Sequence, residues 1–317
     1  MTLPANPPHK QRLVPGPAVL ALVITVSFLF IPVLGAFMMM LLPAPIGYVR
    51  VKNGLTAAIS VSALCIAVGG LAGGFPVVTA VTFALCVCGL SLGGSAFKQE
   101  PDDRAVLKGT VIPILALALL LGAYFVSAGI NPGPLLDKAL AEGLDESVKL
   151  YAQMGMSRSD IDAIMPSLKL FVRIITDYLP AIAVATMASV SSASWLLLKR
   201  HCARRGIVPV SEKFLQQWRA PDLLVWGIIV PGFLMIPELP WLRLIAGNVL
   251  FCFAIVYLFQ GLAVLNHFFD RLGLSPVLRT IGYLVIALQP FLIVAIWALG
   301  FFDTWADFRK IRPKRVA

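Results

Sequence analysis

The chain has 317 residues, of which 59% are hydrophobic and only 13% are charged. This balance excludes an ordinary soluble domain and indicates a protein that lies mostly within a membrane. The formal net charge is +10, and basic loops beside a bilayer with anionic headgroups account for it. We therefore expect the lipid bilayer, and not nucleic acid, to be the partner of the basic residues.

Apolar segments fill the chain from Ala18 to Phe302. A helix of about 20 apolar residues crosses the hydrocarbon core, so the sequence predicts an all-α, polytopic transmembrane bundle of about eight or nine spans. We expect a single integral membrane domain over residues 1–317. The approximate spans are 17–31, 33–49, 54–70, 75–97, 109–129, 169–198, 222–237, 242–268 and 278–302.

The first two spans are separated because one continuous helix over 17–49 would overrun a bilayer. Pro32 also removes a backbone donor, which suits a tight hairpin. A single kinked helix that ends near Leu42 stays open. With nine spans and a cytoplasmic N-terminus, most Lys and Arg lie inside but a basic C-terminal tail lies outside, so the side of the C-terminus stays open as well. The N-terminus has no small-residue cleavage site, which indicates an uncleaved first span.

Two glycine-rich segments place small residues one helical turn apart, a spacing that lets membrane helices approach closely. Helix packing is the better interpretation, because a phosphate-binding loop would need a preceding strand. The five cysteines have no spacing typical of metal ligands, so no metal site is expected. The predicted packing glycines are Gly69, Gly73, Gly89 and Gly93.

Residues 131–168 form the only long polar stretch, and leucines recur within it every four residues. This period predicts an amphipathic helix that begins near Asn131. Gly155 should break the helix, and a second short helix should follow and end at Pro166. We interpret this insert as extramembrane helix that lies on the membrane or covers the bundle. A lid over a substrate cavity is the alternative.

Polar side chains within spans are costly in lipid and therefore mark functional candidates. Arg173 and Asp177 are one turn apart near the start of a span, which permits a structural ion pair. Gln260 and His267 share a helix face, and Gln289 precedes a proline that interrupts the last span. The candidate ligand-binding residues are Asn248, Gln260, His267, Gln289 and Asp303.

The sequence contains no HExxH zinc motif, no GxSxG nucleophile elbow and no P-loop. Asp303 and Asp307 could be considered as a carboxylate pair, but they lie at the membrane border beside Arg309, where charge pairing is the commoner role. We therefore predict that the chain is not an enzyme. No catalytic residue, cofactor or metal is expected.

Several short segments carry a resemblance to a known family. They are 43–45 and 52–54 near the start, 179–180, the Phe-Leu-Gln-Gln-Trp-Arg-Ala-Pro run at 214–221, 245–250, 259–264 and 299–309. Together they resemble the YybS-like family of bacterial membrane proteins, the domain of unknown function 2232. The resemblance implies a multi-pass protein of the bacterial inner (cytoplasmic) membrane. It also implies a distant similarity to the substrate-binding membrane subunits of energy-coupling-factor transporters.

This resemblance and the polar residues at membrane depth predict a transporter-like subunit that binds a small-molecule ligand. The alternative is a non-transporting scaffold or assembly factor with a membrane protein partner, for which the glycine faces and the basic loop 199–219 are the motivation. The transporter subunits are shorter and lack the large insert. No binding residue is therefore carried over from them.

Overall fold

The computed structural model describes residues 15–73, 76–207 and 219–310. Every regular element in these residues is helical, and the prediction of an all-α fold is confirmed. The described residues divide into two compact units. Unit 1 contains 15–161 and 186–207, and unit 2 contains 162–185 and 219–310. A single membrane domain for the whole chain stays a prediction.

Unit 1 is built from six whole helices, the first turn of a seventh and the greater part of an eighth. They are α1 (Pro15–Phe30), α2 (Pro32–Met39), α3 (Pro43–Gly73), α4 (Pro76–Phe97), α5 (Asp102–Ala128) and α6 (Pro132–Gln153), followed by α7 (Arg158–Asp177) and α8 (Leu179–Arg204), which both units share. Its hydrophobic core joins α1, α3 and α4, with Ile24, Ile46, Val49 and Leu85 buried.

The chain breaks between α1 and α2, so the expected interruption before Pro32 is confirmed. The predicted span 33–49 is wrong as a single helix, because α2 ends at Met39 and Pro43 begins a new helix, a position that proline favours. Ile31 lies between α1 and α2 with a non-helical backbone. A Cβ added to Gly35 would lie 2.2 Å from the Phe28 Cα. Helix α2 therefore turns back onto α1, and only a residue without a side chain permits this approach.

Helix α3 reverses its direction at Gly54, which has φ +86°. Before Gly54, α3 runs parallel to α4, because the numbers of the contacting residues increase together along both helices. After Gly54, the numbers of the contacting residues on α4 decrease as those on α3 increase, so this half of α3 runs antiparallel to α4. The two halves of α3 are therefore antiparallel. The chain reverses at the predicted start of span 54–70, but residues 50–53, predicted as a loop, are helical. The contacting pairs are Pro43 with Gly89, Gly47 with Gly93, Ser62 with Cys86, and Gly69 with Thr82.

The polar insert forms α6 and α7. The predicted start is confirmed, because Asn131 Oδ1 accepts a hydrogen bond of 3.1 Å from the Gly133 N–H at the beginning of α6. Gly155 ends the first helix with φ +88°. The predicted end at Pro166 is wrong: a proline removes only one helical hydrogen bond, and α7 continues through it to Asp177. The predicted span 169–198 is correspondingly wrong, because the helix breaks at Tyr178.

Unit 2 contains a 3-10 turn at Asp222–Val225, α9 (Trp226–Leu234), α10 (Pro240–Arg271), α11 (Pro276–Leu288) and α12 (Pro290–Ala306). Helices α11 and α12 meet at Gln289 with a bend of 107°. Helices α10 and α12 touch at their backbones. A Cβ on Gly261 would lie 1.9 Å from the Ile296 carbonyl oxygen, and one on Gly300 would lie 2.0 Å from that of Tyr257.

The helices have the length and outer surface of membrane spans. Among the described residues, five helical segments are long and apolar enough to cross a bilayer, or six if the bent α11–α12 pair is one span. The two shorter apolar helices, 16–28 and 222–234, match two further predicted spans. Leu119 on α5 is 74% exposed, and such apolar surface suits lipid and not water.

Candidate functional site

Unit 2 contains a buried charged network. Asp303 Oδ2 accepts hydrogen bonds from Arg309 Nη2 at 2.7 Å and from Gln260 Nε2 at 3.2 Å. The side chains of Arg309 and Asp303 are 0% and 1% exposed, and Gln260 is fully buried as well. Both charges of a buried ion pair must keep their partners, because a buried charge without a partner destabilises the fold strongly. The structure thus brings together two of the predicted site residues, Gln260 and Asp303.

The end of α12 explains how the network forms. Asp307 takes the left-handed conformation, with φ +45°, and ends the helix. The chain then turns back, so that the Phe308 N–H donates to Asp303 Oδ1 at 2.9 Å and the Arg309 side chain reaches the same carboxylate. Asp303 therefore accepts hydrogen bonds from its own helix end and from α10.

The segment before the 3-10 turn is tied to the same network. The Ala220 N–H donates to Gln260 Oε1 at 3.2 Å, so the Gln260 amide joins this segment to Asp303. Arg219 Nη2 donates to the Thr304 carbonyl oxygen and to Asp222 Oδ1, each at 2.7 Å. The network consequently fixes three parts of unit 2 against one another.

A cleft of about 290 Å³ lies next to these residues. We call it the tryptophan cleft, because two indoles that are more than half exposed, Trp226 and Trp305, form part of its wall. Phe301 contacts Trp305 edge to face and stacks on Trp297, whose indole N–H is buried without an acceptor among the described residues. The lining residues are Asp222, Val225, Trp226, Ile229, Thr304 and Trp305.

Asn248 lies in a different place and bridges the break between α7 and α8. Its Oδ1 accepts from the Ala181 N–H at 3.1 Å, and its Nδ2 donates to the Asp177 carbonyl oxygen at 2.8 Å. These are backbone groups that a helix end leaves without an internal partner. The neighbouring Gly247 contacts Tyr178, the residue at the break itself.

The two other ligand-binding candidates also lie outside the network. His267 is half-buried near the end of α10 and contacts Phe268 edge to face. Gln289 is exposed at the α11–α12 bend, at the opposite end of α12 from Asp303. The five candidates therefore do not form one site.

The structure also describes the predicted ion pair and the predicted packing glycines. Arg173 Nε lies 3.7 Å from Asp177 Oδ2, with side chains 80% and 41% exposed. Gly89 and Gly93 face the first half of α3, where an added Cβ would lie 2.7 and 2.6 Å from backbone carbonyl oxygens. Gly69 contacts Thr82 on α4. Gly73 ends α3, and its surroundings lie outside the described residues.

Unit 1 has a polar end that the sequence reasoning missed. Asp102 Oδ1 accepts hydrogen bonds of 2.7 Å from both Trp195 Nε1 and Lys199 Nζ. A cavity of about 220 Å³ lies beside this group and is lined by Ala96, Gln99, Glu100, Trp195, Leu198, Lys199 and Cys202. Asp102 follows Pro101 at the start of α5, and this helix-start pattern was the available signal.

Glu100 stands on the edge of that cavity in a basic environment. Lys108 Nζ donates to its Oε1 at 2.6 Å and Ser95 Oγ donates to its Oε2 at 2.9 Å. These hydrogen bonds favour the carboxylate, and they hold the pKa of Glu100 below its usual range. The described residues contain no group of three His, Cys, Asp or Glu side chains that could hold a metal ion.

The length of the helices and their exposed apolar surface define the class as a polytopic helical membrane protein. Residues 19–304 match the family described as "Predicted membrane protein (DUF2232)", and the chain belongs to that family. It is similar to the Uncharacterized protein YybS of Bacillus subtilis (strain 168), with 22% identity over 287 residues, which cover 89% of this chain and 91% of that protein. No solved structure matches the chain significantly. The similarity to energy-coupling-factor subunits stays a prediction.

Proposed function

We propose that this chain is a non-catalytic, multi-pass protein of the bacterial inner membrane that binds a small organic solute, as a transporter subunit does. The observation that carries the proposal is the tryptophan cleft. Sites for small molecules combine aromatic walls with a few fixed polar groups. The cleft has this composition, because Trp226 and Trp305 stand beside Asp222, which Arg219 contacts.

The buried network supports this site without being the ligand contact. The Asp303 carboxylate already accepts from Gln260, Phe308 and Arg309. A solute would have to displace one of these donors and leave a buried charge unpaired, which is costly. We therefore assign to Gln260 and Asp303 the role of holding Thr304 and Trp305 in position, and we assign solute contact to the cleft.

The glycine faces give little support to the alternative that the chain is a membrane scaffold. Gly89 and Gly93 pack against the first half of α3, so this surface is occupied within the chain. A scaffold would instead need a protein partner at another face. A stable protein partner in the absence of any bound solute would favour this alternative.

The test is a thermal-stability screen of the full chain in nanodiscs against a panel of small metabolites. We expect at least one compound to raise the unfolding temperature of the wild type and to lose this effect in Trp226→Ala/Trp305→Ala. Trp241→Ala is the matched control, because Trp241 is 61% exposed on α10 and does not line the cleft. A stabilising compound that acts equally on both variants would contradict the assignment of the cleft.

A further inference from the structure

The polar end of unit 1 carries a second feature, a group of cations gathered around one histidine. The rings of Tyr48 and His201 meet edge to face with their centroids 4.5 Å apart, which brings α3 and α8 together. Lys52 lies one helical turn after Tyr48 on α3, and Arg204 and Arg205 lie one turn after His201 at the end of α8. We call Lys52, His201, Arg204 and Arg205 the basic cluster.

The basic cluster differs from the neighbouring cations in its pairing. Lys108 and Lys199 lie within 2.6 and 2.7 Å of carboxylates. By contrast, Lys52, Arg204 and Arg205 have no carboxylate within 4.0 Å in the part of the chain that the structure describes. Three positive charges, one on α3 and two at the end of α8, are thus without an ion-pair partner among the residues that the structure describes.

Tyr48, whose ring contacts His201 of the cluster, has unused hydrogen-bonding capacity. The Tyr48 side chain is only 4% exposed, and its hydroxyl has no hydrogen-bond partner among the described residues. Buried hydroxyls of this kind normally have a partner. The planar guanidinium of an arginine binds phosphate with two parallel hydrogen bonds, so Arg204 and Arg205 are suited to phosphate oxygens.

The position of the cluster indicates where this phosphate comes from. The apolar span over Leu179–Arg204 ends at the cluster, and α3 reverses two residues after Lys52, at Gly54. Both helices therefore reach the level at which lipid headgroups lie. We propose that the basic cluster binds the phosphate of an anionic phospholipid of the surrounding bilayer.

The test is native mass spectrometry of the full chain, stripped of its lipid and titrated with short-chain phosphatidylglycerol. Phosphatidylcholine and inorganic phosphate are the comparators. Each cation close to an anionic headgroup strengthens binding by several fold, so Arg204→Gln/Arg205→Gln should weaken phosphatidylglycerol binding by about thirty-fold. Higher salt should reduce the wild-type affinity toward that of the variant.

The control is Lys138→Gln/Lys149→Gln, which removes the same charge from exposed positions on α6. It should bind phosphatidylglycerol as the wild type does. Equal binding of phosphatidylcholine and phosphatidylglycerol, or an unchanged affinity in Arg204→Gln/Arg205→Gln, would overturn the proposal. Competition by inorganic phosphate at equal concentration would also overturn it, because the cluster would then be a site for a soluble anion.

Discussion

Replacement of Asp303 by asparagine removes one charge from the buried network while it keeps the side-chain volume. The Arg309 guanidinium, with its side chain 0% exposed, would lose the charge of its Asp303 partner. The new amide has one acceptor oxygen instead of two, so its NH2 group would face either the Phe308 N–H or the donors of Gln260 and Arg309. Removal of one partner of a buried pair costs about 3–5 kcal/mol. We expect Asp303→Asn to lower the free energy of unfolding by this amount.

The assay is reversible unfolding in mixed micelles with increasing SDS, followed by circular dichroism. Asp177→Asn is the matched control, because the Arg173–Asp177 pair has the same chemistry but is largely exposed, and pairs of this kind contribute about 0–1 kcal/mol. The reasoning is refuted if Asp303→Asn costs no more than Asp177→Asn. It is also refuted if the effects of Asp303→Asn and Arg309→Gln on the free energy of unfolding are additive, because contacting partners should couple by about 0.5–3 kcal/mol.

Three further changes test other parts of the fold. Asn248→Ala should destabilise the chain by about 1–3 kcal/mol in the same unfolding assay, because two backbone groups at the α7–α8 break lose their partner. Gly300→Ala should cost about 1–3 kcal/mol or more through overpacking, whereas Gly232→Ala, which has open space around it, should be neutral or stabilising. The pKa of Glu100 is lower in the folded chain than in the unfolded chain. The contact of Glu100 with Lys108 therefore stabilises the fold at pH values above the unfolded-state pKa, and this stabilisation is lost as the pH falls through the folded-state pKa. The stability difference between wild type and Glu100→Gln should therefore disappear on acidification.

The helical class and several boundaries were predictable because they depend on local chemistry. Apolar length identified the membrane helices, and Asn131 and Gly155 marked the first insert helix correctly. Pro166 misled the prediction, because a proline in a helix costs one hydrogen bond and its neighbours can absorb the loss. The break at Tyr178 had a local signal in Pro180, the second residue of α8, but the contact that stabilises the break comes from Asn248, about 70 residues away in sequence.

The candidate site was predictable only in part. Gln260 and Asp303 were predicted as polar residues at membrane depth, and the hydrogen bond between them joins α10 to α12. Arg309 was assigned to a charged border, and the turn at Asp307 that buries it was not visible in the sequence. Gly261 and Gly300 have no GxxxG spacing within one helix, so their backbone contact emerges only when α10 and α12 are packed together.

The most direct test of solute binding is native mass spectrometry of the gently purified chain, with its bound small molecules released and identified. The account predicts a stoichiometric small organic solute on the wild type and on Trp241→Ala, and its loss from Trp226→Ala/Trp305→Ala. Lipid alone on the wild type, or a solute that stays bound after both cleft tryptophans are removed, would contradict it.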